Sequence, residues 1–303
     1  MNKAQILNYI LAVVMLILIV KLAYKEKPEN TIVINSVQTD SVPQRKSISI
    51  NTTHQARAWL TVAESKRLIA KGLKRYQPVQ EKLKNGYLLI TKGTTNTYVA
   101  EEFLNDTLTA GEYVLGHILP ASGNAELDQS QERKEVVLKN GIVQDASYQE
   151  MLKEMNTGDI VFKGANIINY QKGQAGVLIG HPTGGTTGNI MPVIKEKKLR
   201  LIIPVGLEKE SSQDIDVLSG ISEVPQEQVG KKAPYVWSIK GELFTEIEAI
   251  KQFANVEAFH MASGGIGGAE GAVTLLLRGS KDEVEKALQA IEKIQGEVAF
   301  IQE

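Results

Sequence analysis

The chain has 303 residues, 34 of them basic and 35 acidic, so no global field draws it to nucleic acid. It lacks cysteine, which excludes disulfides, thiolate metal ligands and a cysteine nucleophile. Its four histidines, His54, His117, His181 and His260, are too scattered for a metal-binding spacing, so neither a metal nor a cofactor is expected.

In chain order, the first feature is an apolar run from Ala4 to Val20, interrupted only by Gln5 and Asn8 and prolonged to Tyr24. At 1.5 Å per residue it reaches roughly 25–31 Å, enough to cross hydrocarbon if Lys21 snorkels. No small-residue cleavage site follows, so residues 4–24 are expected to be a retained single-pass transmembrane anchor. Lys21, Lys25 and Lys27 follow the run and only Lys3 precedes it, which by the positive-inside count puts the soluble part in the cytoplasm. Residues 25–58 are polar, carry Pro28 and Pro43, and read as a linker with short strands at 31–34 and 47–50.

An α/β domain is expected over 59–210. Thr61 and Glu64 form a capping box opening a helix. Short apolar runs then alternate with helical stretches: GYLLITK (86–92), GDIVFKGA (158–165), AGVLIG (175–180) and LRLIIPVGL (199–207) read as strands of a mainly parallel, Rossmann-like sheet. Residues 211–234 read as a connecting segment. The order β-α-β-β-α-β over 235–303, from YVWSI to a closing strand EVAFI (297–301), predicts a small ferredoxin-like α+β domain.

Two loops share a Gly-Thr-Thr core. KGTTN (92–96) follows a strand and opens a helix, where first-turn amides, the helix dipole, threonine hydroxyls and Lys92 favour an anion. GHPTGGTTGN (180–189) repeats that setting and is not a P-loop, because Thr186-Thr187 stand where Lys-Ser/Thr is required. If both loops leave parallel strands, they share the carboxyl edge where open α/β sheets bind ligands. The expected ligand-binding set is Lys92, Gly93, Thr94, Thr95, Asn96, Asn166, Gly184, Gly185, Thr186, Thr187 and Gly188. His181 and Glu208 are the candidate acid-base groups. A third cluster, SGGIGGAEG (263–271), mimics a dinucleotide fingerprint, but a strand follows it rather than a helix, so it reads as a hairpin or as a lid.

Over 60–210 the chain resembles the fold group of phosphosugar isomerases, CoA transferases and DeoR-type effector domains. Gly93, Thr94 and Thr95 match that group's phosphate-cradling turn, and Gly164-Ala165 match a later Gly-Ala-Asp in which Asn166 here replaces the aspartate. Asparagine cannot act as a general base, which leaves Glu208, followed by Lys209 after another strand, as the best remaining carboxylate at the presumed rim. The resemblance implies a small phosphorylated metabolite as ligand, with isomerase- or transferase-like activity. Two other readings stand beside it. One is a sensor in which the C-terminal domain detects ligand or forms a homo-oligomer; the other is a structural membrane-associated protein whose glycines only make turns.

Overall fold

The computed structural model describes residues 54–118, 132–223 and 234–301. The expected anchor (4–24), most of the linker and the strands at 31–34 and 47–50 lie outside the described residues. Among the described residues no helix is long and apolar enough to cross a membrane.

The strands are β1 (His54–Leu60), β2 (Tyr87–Ile90), β3 (Val136–Lys139), β4 (Ile142–Val143), β5 (Ile160–Phe162), β6 (Ile167–Asn169), β7 (Gln174–Ile179), β8 (Arg200–Pro204), β9 (Tyr235–Ile239), β10 (Glu242–Phe244), β11 (Glu257–Ser263) and β12 (Val273–Gly279). The helices are α1 (Val62–Arg75), α2 (Gln77–Lys84), α3 (Thr94–Leu104), α4 (Tyr148–Glu154), α5 (Gly185–Lys197), α6 (Ile215–Glu223), α7 (Glu246–Ile250) and α8 (Lys281–Glu292). Side-chain caps start several of them. Thr61 with Glu64, Ser147 with Glu150 and Thr245 with Glu248 each form a reciprocal capping box, satisfying amides that the first helical turn leaves free.

The central sheet has six strands in the order β10-β8-β5-β2-β3-β4. The first four run parallel, and β3 and β4 extend the sheet antiparallel. The parallel strands are buried: all four residues of β2 and all three of β5 face protein, as expected for strands covered on both faces. Phe162, Phe244, Leu88, Leu89 and Ile90 are among the largest fully buried side chains there. At the amino edge, buried Asp159 accepts from the Tyr87 and Asn156 amides and pairs with Lys82 at 3.0 Å.

The chain is therefore a mixed α/β fold, with three departures from the sequence reading. First, β7 is not in the parallel sheet. It is the middle strand of an antiparallel sheet ordered β6-β7-β9, paired with β9 from Ala175↔Ile239 to Ile179↔Tyr235. Gly176 makes room for this arrangement, since a Cβ there would lie 2.7 Å from Val236 and 3.0 Å from Ile215.

Second, the expected ferredoxin-like elements are spread over three sheets. YVWSI (β9) pairs with β7, and the expected helix 241–253 begins as strand β10, which extends the central sheet before α7. Residues 297–301 form no strand. β12 instead lies between β11 and β1 in an antiparallel sheet, with β1 drawn largely from the expected linker and paired with β12 over its whole length. Ala56, Ala58 and Leu60 turn inward while Arg57 and Trp59 face out, the two-residue alternation of a half-buried strand. Third, the connecting segment contains α6, whose Ile215 is fully buried and whose Ser219 hydroxyl donates to Val236 O at 2.8 Å.

Candidate functional site

At the carboxyl edge of the parallel strands the chain leaves β2 through Thr91-Lys92-Gly93 and enters α3. Gly93 adopts φ 153° and ψ 159°, a region open essentially to glycine, and no atom lies within 4 Å of where its Cβ would be. The glycine therefore answers a backbone demand. It also offers no capping side chain, so the amides of Thr94, Thr95 and Asn96 have neither an intrahelical acceptor nor a cap. The turn is held from behind. Gly93 N–H donates to Tyr113 O at 3.0 Å, and the Thr97 hydroxyl donates to Gly93 O at 3.0 Å. Tyr113, fully buried, donates its hydroxyl to Ile90 O and accepts from Val136 N–H at 2.7 Å.

These residues border a cavity of about 730 Å³. Lys92 to Asn96 line it from β2, Lys163 to Asn166 from the end of β5, and Lys209 from the 3-10 turn after β8. The opposite wall comes from 177–182, Tyr235 and the 115–118 segment. A volume of that size suits a small ligand.

Two side chains at the helix start are buried with unmet hydrogen bonds. The Thr95 hydroxyl has no partner. Asn96 donates through Nδ2 to Thr91 O at 2.8 Å, while its Oδ1 has none. Unsatisfied buried polar atoms are uncommon because each carries a desolvation cost, and these two sit beside open helix amides.

Three lysines supply the charge. Lys92 pairs with Glu132. Lys209 donates to Ala165 O at 3.1 Å and lies 3.9 Å from Glu208. The backbone N–H of Lys163 donates to Ile202 O at 3.1 Å, but its side-chain amine has no hydrogen-bond or ion-pair partner among the described residues; burial, and after it the charge of Lys209, lowers its ammonium to about 8. Lys163 escaped the sequence reading because its importance comes from β5 lying next to β2, with Ile90 opposite Phe162, and nothing within KGAN announces that pairing.

The other expected residues fall into two groups. Asn166 and His181 do line the cavity. Asn166 spends its Oδ1 on Leu178 N–H at 3.0 Å, which fastens the segment leading into β6 to β7. His181 uses Nδ1 to accept from Thr183 N–H at 3.2 Å. Gly184, Gly185, Thr186, Thr187 and Gly188 do not line it. Gly184 and Gly188 serve close packing, while Gly185 takes a positive φ of 52°. A Cβ on Gly184 would meet the Trp237 ring at 2.5 Å, and one on Gly188 would meet Thr183 O at 2.1 Å. The two Gly-Thr-Thr loops therefore do not share a parallel edge: one opens onto the cavity through its helix start, and the other only through Gly180, His181 and Pro182.

Glu208 does not line the cavity; its Oε1 lies 3.9 Å from the Lys209 amine and its Oε2 is buried without a partner. Nearby Glu246 is fully buried and accepts from Leu207 N–H at 3.0 Å; burial first, and the Glu208 charge second, push its carboxyl well above the usual carboxylate range. Buried Lys66 is lowered to about 8 by burial and by Lys209, with Glu208 opposing.

Residues 297–301, expected as a strand, instead pass along α1 and α3 together with Gly296. Arg67 binds Glu297, Glu101 and Glu102, and Gly296 N–H donates to Glu64 at 2.8 Å. This places Phe300 and Ile301 at the cavity, and Phe300 also borders a smaller space of about 250 Å³ lined by Lys66. The 263–271 loop is the β11–β12 hairpin, where Glu270 accepts from the Gly267 and Gly268 amides.

Comparison of the chain with protein-family models, with curated proteins and with solved structures gives no match.

Proposed function

We propose that this carboxyl-edge cavity binds a small phosphorylated metabolite at the N-terminus of α3. The observation that carries the reading is the orphaned Thr95 hydroxyl beside three unengaged helix amides, in a cavity lined by Lys92, Lys163 and Lys209. A phosphate oxygen placed there satisfies the hydroxyl and the amides, and it meets both the positive end of the helix dipole and the lysine charges. The 60–210 resemblance to phosphosugar-binding folds leads to the same ligand class. Isothermal titration with inorganic phosphate and with a sugar phosphate tests the proposal. Saturable binding weakened at least tenfold by Thr95→Val supports it, and absence of heat and of thermal stabilisation with both ligands sinks it.

A non-catalytic sensor is the second reading, favoured by Asn166, whose Oδ1 is already committed to a backbone amide where the resembled isomerases carry a carboxylate. Under the catalytic reading Glu208 does the acid-base work, and Glu208→Gln abolishes turnover of a sugar phosphate while leaving its binding within threefold. The apolar run 4–24 is proposed to tether the protein to a membrane with the soluble part in the cytoplasm. Release of the full chain from membranes by alkaline carbonate would count against that.

A further inference from the structure

Three features of Lys163 stand apart from simple charge pairing. The residue lines the 730 Å³ cavity just after β5, and its amine has no hydrogen-bond or ion-pair partner among the described residues. A second cation, Lys209, is its electrostatic neighbour, and Lys209 is itself fastened to Ala165 O. Thr91, at the other side of the β2–β5 pairing, is one strand spacing away, about 5 Å, and α3 begins just beyond it. A compound anchored by an anionic group at the start of α3 therefore extends over Lys163 within a few bond lengths.

Resting on the phosphate-binding reading above, we infer that Lys163 is a reactive amine that forms an imine with phosphorylated aldehydes or ketones held in this cavity. The neutral nitrogen donates its lone pair to the carbonyl carbon. Both amine hydrogens pass to the carbonyl oxygen, which leaves as water, and a carbon–nitrogen double bond remains. No oxidant or reductant is needed.

Burial and the Lys209 charge lower the Lys163 ammonium to about 8. At pH 7.5 about a quarter of such an amine is neutral, against about one part in a thousand for an unperturbed lysine. Lower basicity also lowers intrinsic nucleophilicity, so the net advantage expected is about tenfold rather than the full ratio.

The full chain is incubated at pH 7.5 with glyceraldehyde 3-phosphate and cyanoborohydride, which reduces the imine to a stable amine, and each lysine is followed by peptide mass spectrometry. Lys240, strongly exposed at 80%, is the internal reference. Modification of Lys163 at least tenfold faster than Lys240, slowed by inorganic phosphate, supports the inference. In Lys209→Met the Lys163 rate falls several-fold while Lys240 is unchanged, because the neighbouring charge no longer favours the neutral amine. Lys163 modified no faster than Lys240 overturns the inference; saturable phosphate binding in the same sample then leaves the binding proposal standing. Equal rates with glyceraldehyde and its 3-phosphate overturn the assigned substrate class, and absence of phosphate binding in that sample removes the binding proposal separately. Lys163→Arg, checked for native circular dichroism, abolishes the fast adduct if the assignment is right, whereas its persistence elsewhere in the cavity refutes it.

Discussion

Thr95→Val separates stability from binding by changing them in opposite directions. In the ligand-free protein the Thr95 hydroxyl is buried, 3% exposed, with no hydrogen-bond partner. A buried unpaired hydroxyl costs about 1–3 kcal/mol, and valine removes it while keeping β-branching and nearly the same volume. Ligand-free stability is thus expected to rise by about 1 kcal/mol, a Tm increase of about 2–4 °C for a fold of this size. With phosphate bound, the same hydroxyl makes a hydrogen bond to a charged group worth about 1.5–3 kcal/mol, so its loss weakens phosphate by roughly 10- to 150-fold. Urea denaturation and titration calorimetry on the two proteins measure both terms. A variant that is less stable without ligand, and binds phosphate within twofold of the parent, refutes the reasoning: the hydroxyl would then have a partner and no role in the site.

Gly93→Ala meets no steric neighbour, so its cost is the backbone conformation alone, about 1–3 kcal/mol, and relaxation of the turn weakens phosphate as well; urea midpoints and calorimetry read both. Gly188→Ala forces a Cβ against Thr183 O and destabilises by about 1–3 kcal/mol, yet leaves phosphate affinity unchanged, which checks that the second Gly-Thr-Thr stretch is a packing device. The raised Glu246 carboxyl makes stability depend on pH. The unfolded chain gives up this proton near pH 4–5 while the fold keeps it, so stability falls as pH rises from about 5 until the folded-state group titrates. Glu246→Gln keeps an acceptor for Leu207 N–H and flattens that slope in denaturation series run from pH 5 to 9.

What could be read from the chain follows from how local each signal is. KGTTN announces itself, because a buried strand, a glycine in a glycine-only conformation and a helix start are all contained within a dozen residues. The parallel runs of β5 and β8 were equally readable as short apolar stretches. AGVLIG has the same appearance and yet belongs to another sheet, since an apolar run reports burial and says nothing of which strand lies alongside. β1 was hidden for the opposite reason: Gln55, Arg57 and Trp59 on its open face make it look like linker, and only its pairing with β12 makes it a strand. GGTTG repeats the lettering of KGTTN, but Gly184 and Gly188 are packed against Trp237 and Thr183 and lie off the cavity. The unpartnered amine of Lys163 and the burial of Glu246 beside Glu208 depend on residues distant in the chain meeting, and no local pattern encodes that.

The most direct test of the account is a phosphate titration of isotopically labelled protein followed by backbone amide NMR. Saturable shifts of the Thr94, Thr95 and Asn96 amides, with Thr186 and Thr187 unmoved, are the predicted result; shifts centred on Thr186 and Thr187, or none at the start of α3, would contradict it.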